Sequence, residues 1–138
     1  MKKTLIDSSF LFSLINHEDA HHEVCVEVAL DEAIDKLVLV TVIPETCYLL
    51  HRWLGHRVMR AFIENLQDPL WKIEPVLPAD MVRVSEILNQ YADARLDLVD
   101  ATLITAAERL GIETILTLDQ RDFRLVQPKH VEYFDIRP

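Results

Sequence analysis

Four carboxylates in this chain obey one rule of placement: an apolar run, then an acid where the run stops or the next helix opens. Asp7 ends Leu5-Ile6, Glu45 follows Val42-Ile43-Pro44, Asp100 follows Leu98-Val99, and Asp119 follows Ile115 to Leu118. Each has an ordinary structural explanation. Asp7 suits a helix N-cap and Glu45 the positive end of a helix dipole; Asp97 and Asp100 suit a cap and a first turn, and Asp119 an Asx-turn ahead of Asp122. Their coincidence asks for more. Two carboxylates ~4 Å apart repel by about 4 kcal/mol at an effective dielectric of about 20, so four of them gathered together call for a divalent cation. Hard oxygen donors without thiolate or imidazole select Mg²⁺ or Mn²⁺. Phosphoryl chemistry is the usual work of such a site, because the ion polarises a phosphate oxygen and lowers the pKa of an attacking water.

The elements that must position these acids can be taken in order. Lys3 to Asp7 reads as a strand, with Ser8 or Ser9 capping a helix through Phe10, Leu11, Leu14 and Ile15. A second helix carries Val24, Val28, Leu30 and Ile34. Leu37 to Val42 fits a central or near-central strand, since it lacks polar alternation. Pro44 belongs in the first turn of a helix that Gly55 ends, and another helix runs from about Val58 to Leu66. Ile73 to Leu77 is a third strand, pushed to an edge by Pro75. Helices through Val82-Ile87-Leu88 and through Leu98-Leu103-Ile104-Ala107-Leu110 follow, the latter closed by Gly111. Ile112 to Leu118 is a fourth strand and Val131 to Phe134 a fifth, at the edge. This alternation predicts one α/β domain over residues 1–138, a three-layer α/β/α sandwich on a mostly parallel sheet of four to five strands. Reacting groups then collect outside the carboxyl ends of the strands, where all four acids fall.

Composition narrows the function. The chain has 138 residues, 50% hydrophobic and 27% charged, enough for one sizeable core. Its apolar runs are far short of the ~20 residues of a membrane span, and the Met-Lys-Lys start has no secretory core, so a cytoplasmic protein without membrane attachment is expected. Cys25 and Cys47 lack metal-ligand spacing and suit reduced thiols. A net charge of -9 argues against binding nucleic acid over the whole surface. A local rim is still available: no acid occurs between Glu45 and Glu64, an interval holding His51, Arg52, His56, Arg57 and Arg60. Arg52, Arg57 and Arg60 are candidate phosphate contacts there, against the plainer reading of a solvated helix face. With only two glycines, Gly55 and Gly111, a Gly-rich phosphate loop is excluded.

The segments Leu5-Ile6-Asp7-Ser8-Ser9, Val42-Ile43-Pro44-Glu45, Leu98-Val99-Asp100-Ala101-Thr102-Leu103-Ile104-Thr105-Ala106-Ala107 and Thr117-Leu118-Asp119-Gln120-Arg121-Asp122-Phe123 resemble the successive motifs of PIN domains, especially the VapC-type ribonuclease toxins. The likeness spans almost the whole chain, in order. It implies that Asp7, Glu45 and Asp100 are the main metal-site acids and Asp119 the fourth, with Ser8, Asp97 and Thr117 in support. It further implies Mg²⁺- or Mn²⁺-dependent cleavage of RNA by water, a homodimer, and a small inhibitory antitoxin protein with an Arg- or Lys-bearing tail.

Other readings compete. His17-Glu18-Asp19-Ala20-His21 satisfies H-E-x-x-H, in which two histidines on one helix face hold zinc and Glu activates its water. Here it falls at a polar loop and helix start with no third ligand in view. A PIN-like module that binds and does not cut is the second alternative. A phosphohydrolase with Asp7 as nucleophile is the third, weakened because Ser9 stands where that chemistry wants a second acid.

Overall fold

A computed structural model describes all 138 residues. β1 (Lys2–Ile6) leads into α1 (Ser8–Ile15) and α2 (His22–Ala29), and β2 (Ile34–Leu39) into α3 (Val42–Leu54) and α4 (His56–Asn65). β3 (Trp71–Glu74) is followed by α5 (Asp80–Gln90), a short 3-10 turn (Ala92–Ala94) and α6 (Leu98–Leu110). β4 (Thr114–Leu116), α7 (Gln120–Leu125) and β5 (Asp135–Arg137) complete the chain.

The strands form one sheet in the order β3-β2-β1-β4-β5, and every neighbouring pair is parallel. Parallel neighbours require crossovers, and right-handed ones put the helices before and after the reversal on opposite faces. Contacts agree: α1 packs on α2 and α3, and α3 on α4, while α6 packs on α5 and α7. The result is a three-layer α/β/α domain with a fully parallel sheet. β1 occupies the centre, and all six residues of β2 are buried, which explains the missing alternation. Asp35 in β2 is satisfied by Lys72 at 2.7 Å, and Lys36 donates to the carbonyls of Asp31 and Ile34.

Several boundaries move. β2 ends at Leu39, not Val42, because Val42-Ile43-Pro44 forms the first turn of α3, where the fixed φ of Pro44 suits a helix better than the β-branched run suits a strand. Ile34 belongs to β2 instead of the preceding helix. β3 covers Trp71–Glu74, stopping before Pro75, and is an edge strand as expected. β4 starts only at Thr114, because Ile112 donates its N–H to Ala107 at 2.9 Å and so closes α6 through left-handed Gly111. β5 lies at Asp135–Arg137, beyond Val131 to Phe134, since Phe134 turns inward against Phe123. No helix is long and apolar enough to cross a membrane.

A candidate metal centre at the reversal of the sheet

Strand order reverses between β1 and β4, so the crevice beyond their carboxyl ends is where such sheets place ligands. Asp7 follows β1 directly, and its N–H donates to Leu116 of β4 at 2.9 Å. It is also the N-cap of α1, which agrees with Asp7 as a cap and displaces Ser8 and Ser9, the other candidates in the sequence. Its carboxylate is only 5% exposed. Oδ1 accepts from the Ser8 N–H at 2.8 Å; Oδ2 accepts from Thr117 Oγ1 at 2.8 Å and Ser9 Oγ at 3.1 Å. Burial raises the pKa of Asp7, these donors lower it in part, and the charge of Asp119 raises it again.

The other acids arrive at the same edge from both helical layers. Glu45 stands in the first turn of α3 and accepts from Ser8 Oγ. Burial raises its pKa, the Ser8 hydrogen bond opposes that, and the charges of Asp7 and Asp97 add to it. α6 feeds β4 through a short turn, so its N-terminus lies at the carboxyl edge of the sheet. Asp97 caps it by accepting from the Asp100 N–H at 2.8 Å. Arg95, just before, takes a left-handed φ of 56° to steer the chain into this cap. Asp100 is pushed up to about 8 by burial, then by the charges of Asp97 and Asp7, a hydrogen bond with Asp97, and the charge of Asp122. Thr41 and Thr102 share a hydroxyl hydrogen bond of 2.8 Å, tying the start of α3 to α6 near both acids.

Asp119 precedes α7, and its N–H donates to Thr117 Oγ1 at 3.0 Å, so one threonine touches both strand-end acids. Two residues escaped the sequence reading. Ser9 bonds Asp7, Thr117 Oγ1 at 3.1 Å and the Leu118 N–H at 3.0 Å, fastening α1 to the end of β4. Asp122 has its pKa raised by burial and by Asp119 and Asp97, with Arg121 opposing. Its spacing three residues after Asp119 was the available signal.

Asp7, Glu45 and Asp100 form no ion pair with Lys, Arg or His. The donors are all carboxylate oxygens with hydroxyls behind them, the set that suits Mg²⁺ or Mn²⁺. As they stand, no three His, Cys, Asp or Glu side chains close into a ready-made cage. Glu45 is held by Ser8 in this arrangement.

Arg52, Arg57 and Arg60 are not brought to the acids. Arg52 lies two helical turns along α3 from Glu45, about 10 Å away, and sits over the Trp53 ring at 5.1 Å. Arg57 and Arg60 are on α4, past the Gly55 turn. The H-E-x-x-H segment does not form a zinc face either. His17 and His21 lie outside any helix, His17 stacks on His22 with centroids 4.8 Å apart, and His21 meets Asp19.

Residues 4–127 match the family model described as PIN domain. The chain belongs to the PIN-domain family. Ribonuclease VapC26 of Mycobacterium tuberculosis is 29% identical to this PIN domain over 125 residues, covering 90% of this chain and 92% of that protein. The crystal structure of M. tuberculosis VapC20, described as a sarcin-ricin loop cleaving toxin, superposes with a TM-score of 0.83 at 25% identity. That match covers 94% of this chain and 98% of VapC20. VapBC2 from Rickettsia felis, bound to a promoter DNA fragment, shares the fold alone: TM-score 0.72, 11% identity, 99% of both chains.

Proposed function

We propose that this PIN domain is a divalent-metal-dependent endoribonuclease and the toxin of a toxin–antitoxin pair. The observation that supports it best is electrostatic: Asp7, Glu45, Asp100 and Asp122 all have raised pKa values at the reversal of a parallel sheet. Burial is the largest cause for each and the charges of neighbouring acids add to it; both cost stability, and a bound cation relieves them. Similarity to VapC26 and VapC20 over nearly the whole chain supports RNA as the substrate.

Asp7, Asp100 and Asp119 would hold Mg²⁺ or Mn²⁺, with Glu45 as a further ligand or as the group that orients water. When bound, the ion supplies charge to the scissile phosphate and acidifies the attacking water. Thr117 and Ser9 hold Asp7 in register with Asp119, Ser8 holds Glu45, and Asp97 fixes the first turn of α6 so that Asp100 faces the crevice. Glu45, with its raised pKa, is suited to accept a proton from water attacking phosphorus.

A small antitoxin protein and a second copy of the chain are the proposed partners. An apolar groove of about 440 Å³ between α1, α4 and β3, lined by Leu11, Leu14, Ile15, Phe62, Leu66 and Trp71, has the chemistry to take an apolar helix of the antitoxin.

The test is cleavage of a panel of RNAs, including a sarcin–ricin loop hairpin, with and without Mn²⁺, against Asp7→Asn. Mn²⁺-dependent cleavage that the variant lacks supports the reading. No cleavage by the wild type across the panel leaves a PIN-like binding module, and equal cleavage by the variant removes Asp7 from the chemistry.

A further inference from the structure

Pairing among the charged side chains is uneven. Lys2, Lys72, Arg83, Arg109, Lys129 and Arg137 sit in ion pairs with carboxylates. Lys3, Lys36, Arg52, Arg57, Arg60, Arg95, Arg121 and Arg124 are in none, and the last three stay unpaired although Asp93, Asp97, Asp119 and Asp122 lie close to them in sequence. Arginines left unpaired in a chain of net charge -9 are available to another anion.

Arg121 and Arg124 line a hollow of about 690 Å³ between the 3-10 turn and α7, together with Gln90, Tyr91, Asp93 and Leu125. Arg95 follows it immediately. Its size falls within the ~300–1,000 Å³ of small-molecule sites, enough for a nucleotide. It also adjoins the acids: Asp119 immediately precedes α7, the 3-10 turn ends three residues before Asp97, and Asp122 feels the charges of Asp119, Asp97 and Arg121 together.

The lining supplies each part of nucleotide recognition. Tyr91 is half-buried, and its hydroxyl accepts from the Gln127 N–H at 3.0 Å, which fixes the ring. With exposed Leu125 beside it, the ring offers a face for a base. Arg121 and Arg124 offer guanidinium groups to a phosphate. The Asp93 carboxylate and Gln90 amide offer hydrogen bonds to a base edge. An acidic peptide would satisfy the arginines but leave the ring unused.

We propose that this hollow is a nucleotide subsite for the RNA strand beside the scissile phosphate, with Arg124 and Arg121 binding phosphate and Tyr91 stacking a base. This rests on the ribonuclease reading above.

The experiment measures binding of a short fluorescein-labelled single-stranded RNA of mixed sequence by anisotropy, across a salt series, in an Asp7→Asn background. Arg124→Ala and Tyr91→Leu are compared with Lys3→Ala, which removes an unpaired cation from the opposite edge of the sheet. Circular dichroism checks that each variant is folded, and Arg124→Lys provides a milder change. The expected result is roughly tenfold weaker binding for Arg124→Ala, with a salt slope shallower by about 0.7, one phosphate contact of a single strand. Tyr91→Leu weakens binding with the slope unchanged, and Lys3→Ala has no effect. Unchanged affinity and slope in Arg124→Ala and Tyr91→Leu overturn the subsite while leaving the nuclease reading intact. Loss of poly-glutamate binding without loss of RNA binding overturns it in favour of a protein partner. A parent that cleaves no RNA before Asp7→Asn is introduced removes both readings.

Discussion

Thr117 Oγ1 lies 2.8 Å from Asp7 Oδ2 and donates to it, joining the end of β4 to the end of β1 across the point where the sheet reverses. The same oxygen accepts from the Asp119 N–H at 3.0 Å. A side chain 110 residues away from Asp7 thereby sets the spacing of two acids. Thr117→Val keeps the volume and removes the donor. It should destabilise the fold by about 1–3 kcal/mol, because a buried carboxylate loses a partner, and slow RNA cleavage; Thr117→Ser should restore most of both. Urea denaturation together with cleavage rates decides it, and a fully stable, fully active Val variant would contradict this role.

Burial first, and then the charges of Asp97, Asp7 and Asp122, disfavour ionised Asp100, so a neutral isostere there should help the metal-free fold. Asp100→Asn keeps a polar group beside Asp97 and removes the cost of burying either the charge or the proton that suppresses it. In EDTA its Tm should rise by about 2–5 °C while Mn²⁺-dependent cleavage is lost. Calorimetry showing a lower Tm than wild type would contradict the repulsion.

The pH dependence has a definite sign. Asp100 titrates near 8 in the folded chain and near 3.8 when unperturbed, so between these values the folded state binds a proton that the unfolded state has released. Stability contributed by that proton is fully present below about pH 4 and disappears as pH rises through about 8. The Tm of metal-free protein should fall over this window, and Asp100→Asn should flatten the decline. A Tm that instead climbs through the window in EDTA would count against the assignment.

Arg83 and Glu108 form a two-pronged pair, Nε to Oε1 at 2.7 Å and Nη2 to Oε2 at 2.9 Å, which locks α5 to α6 away from the acids. Arg83→Met should cost roughly 2 kcal/mol of stability and leave kcat for RNA cleavage unchanged at a temperature where the variant is folded. A changed kcat with unchanged stability would show that the pair reaches the site.

His17→Ala combined with His21→Ala should leave Mn²⁺-dependent cleavage at the wild-type rate, since neither residue shares a helix face with the other or a bond with the acids. Loss of activity with the acids intact would return attention to the H-E-x-x-H segment.

The acids were legible because strand-to-helix transitions leave a local signature. Apolar residues stop, a capping or helix-opening acid follows, and a parallel sheet brings such places together. What stayed hidden depends on contacts remote in sequence. Ser9 is one small hydroxyl beside another until Leu118 and Thr117 meet it. Val40-Thr41-Val42 has strand propensity, and only its position after a buried strand and ahead of Pro44 turns Val42 into a helix start. Arg52, Arg57 and Arg60 form a rim in charge spacing alone, and spacing does not say how far each stands from the acids. Helix α3 carries Glu45 at one end and Arg52 at the other.

Mn²⁺ titration of the full chain by calorimetry at neutral pH, wild type beside Asp7→Asn and Asp100→Asn, probes the central claim most directly. Saturable binding by the wild type, with affinity reduced at least about tenfold in both variants, is the predicted result. A wild type that takes up no Mn²⁺, or variants that bind it as tightly as the wild type does, would contradict a metal centre built from these acids.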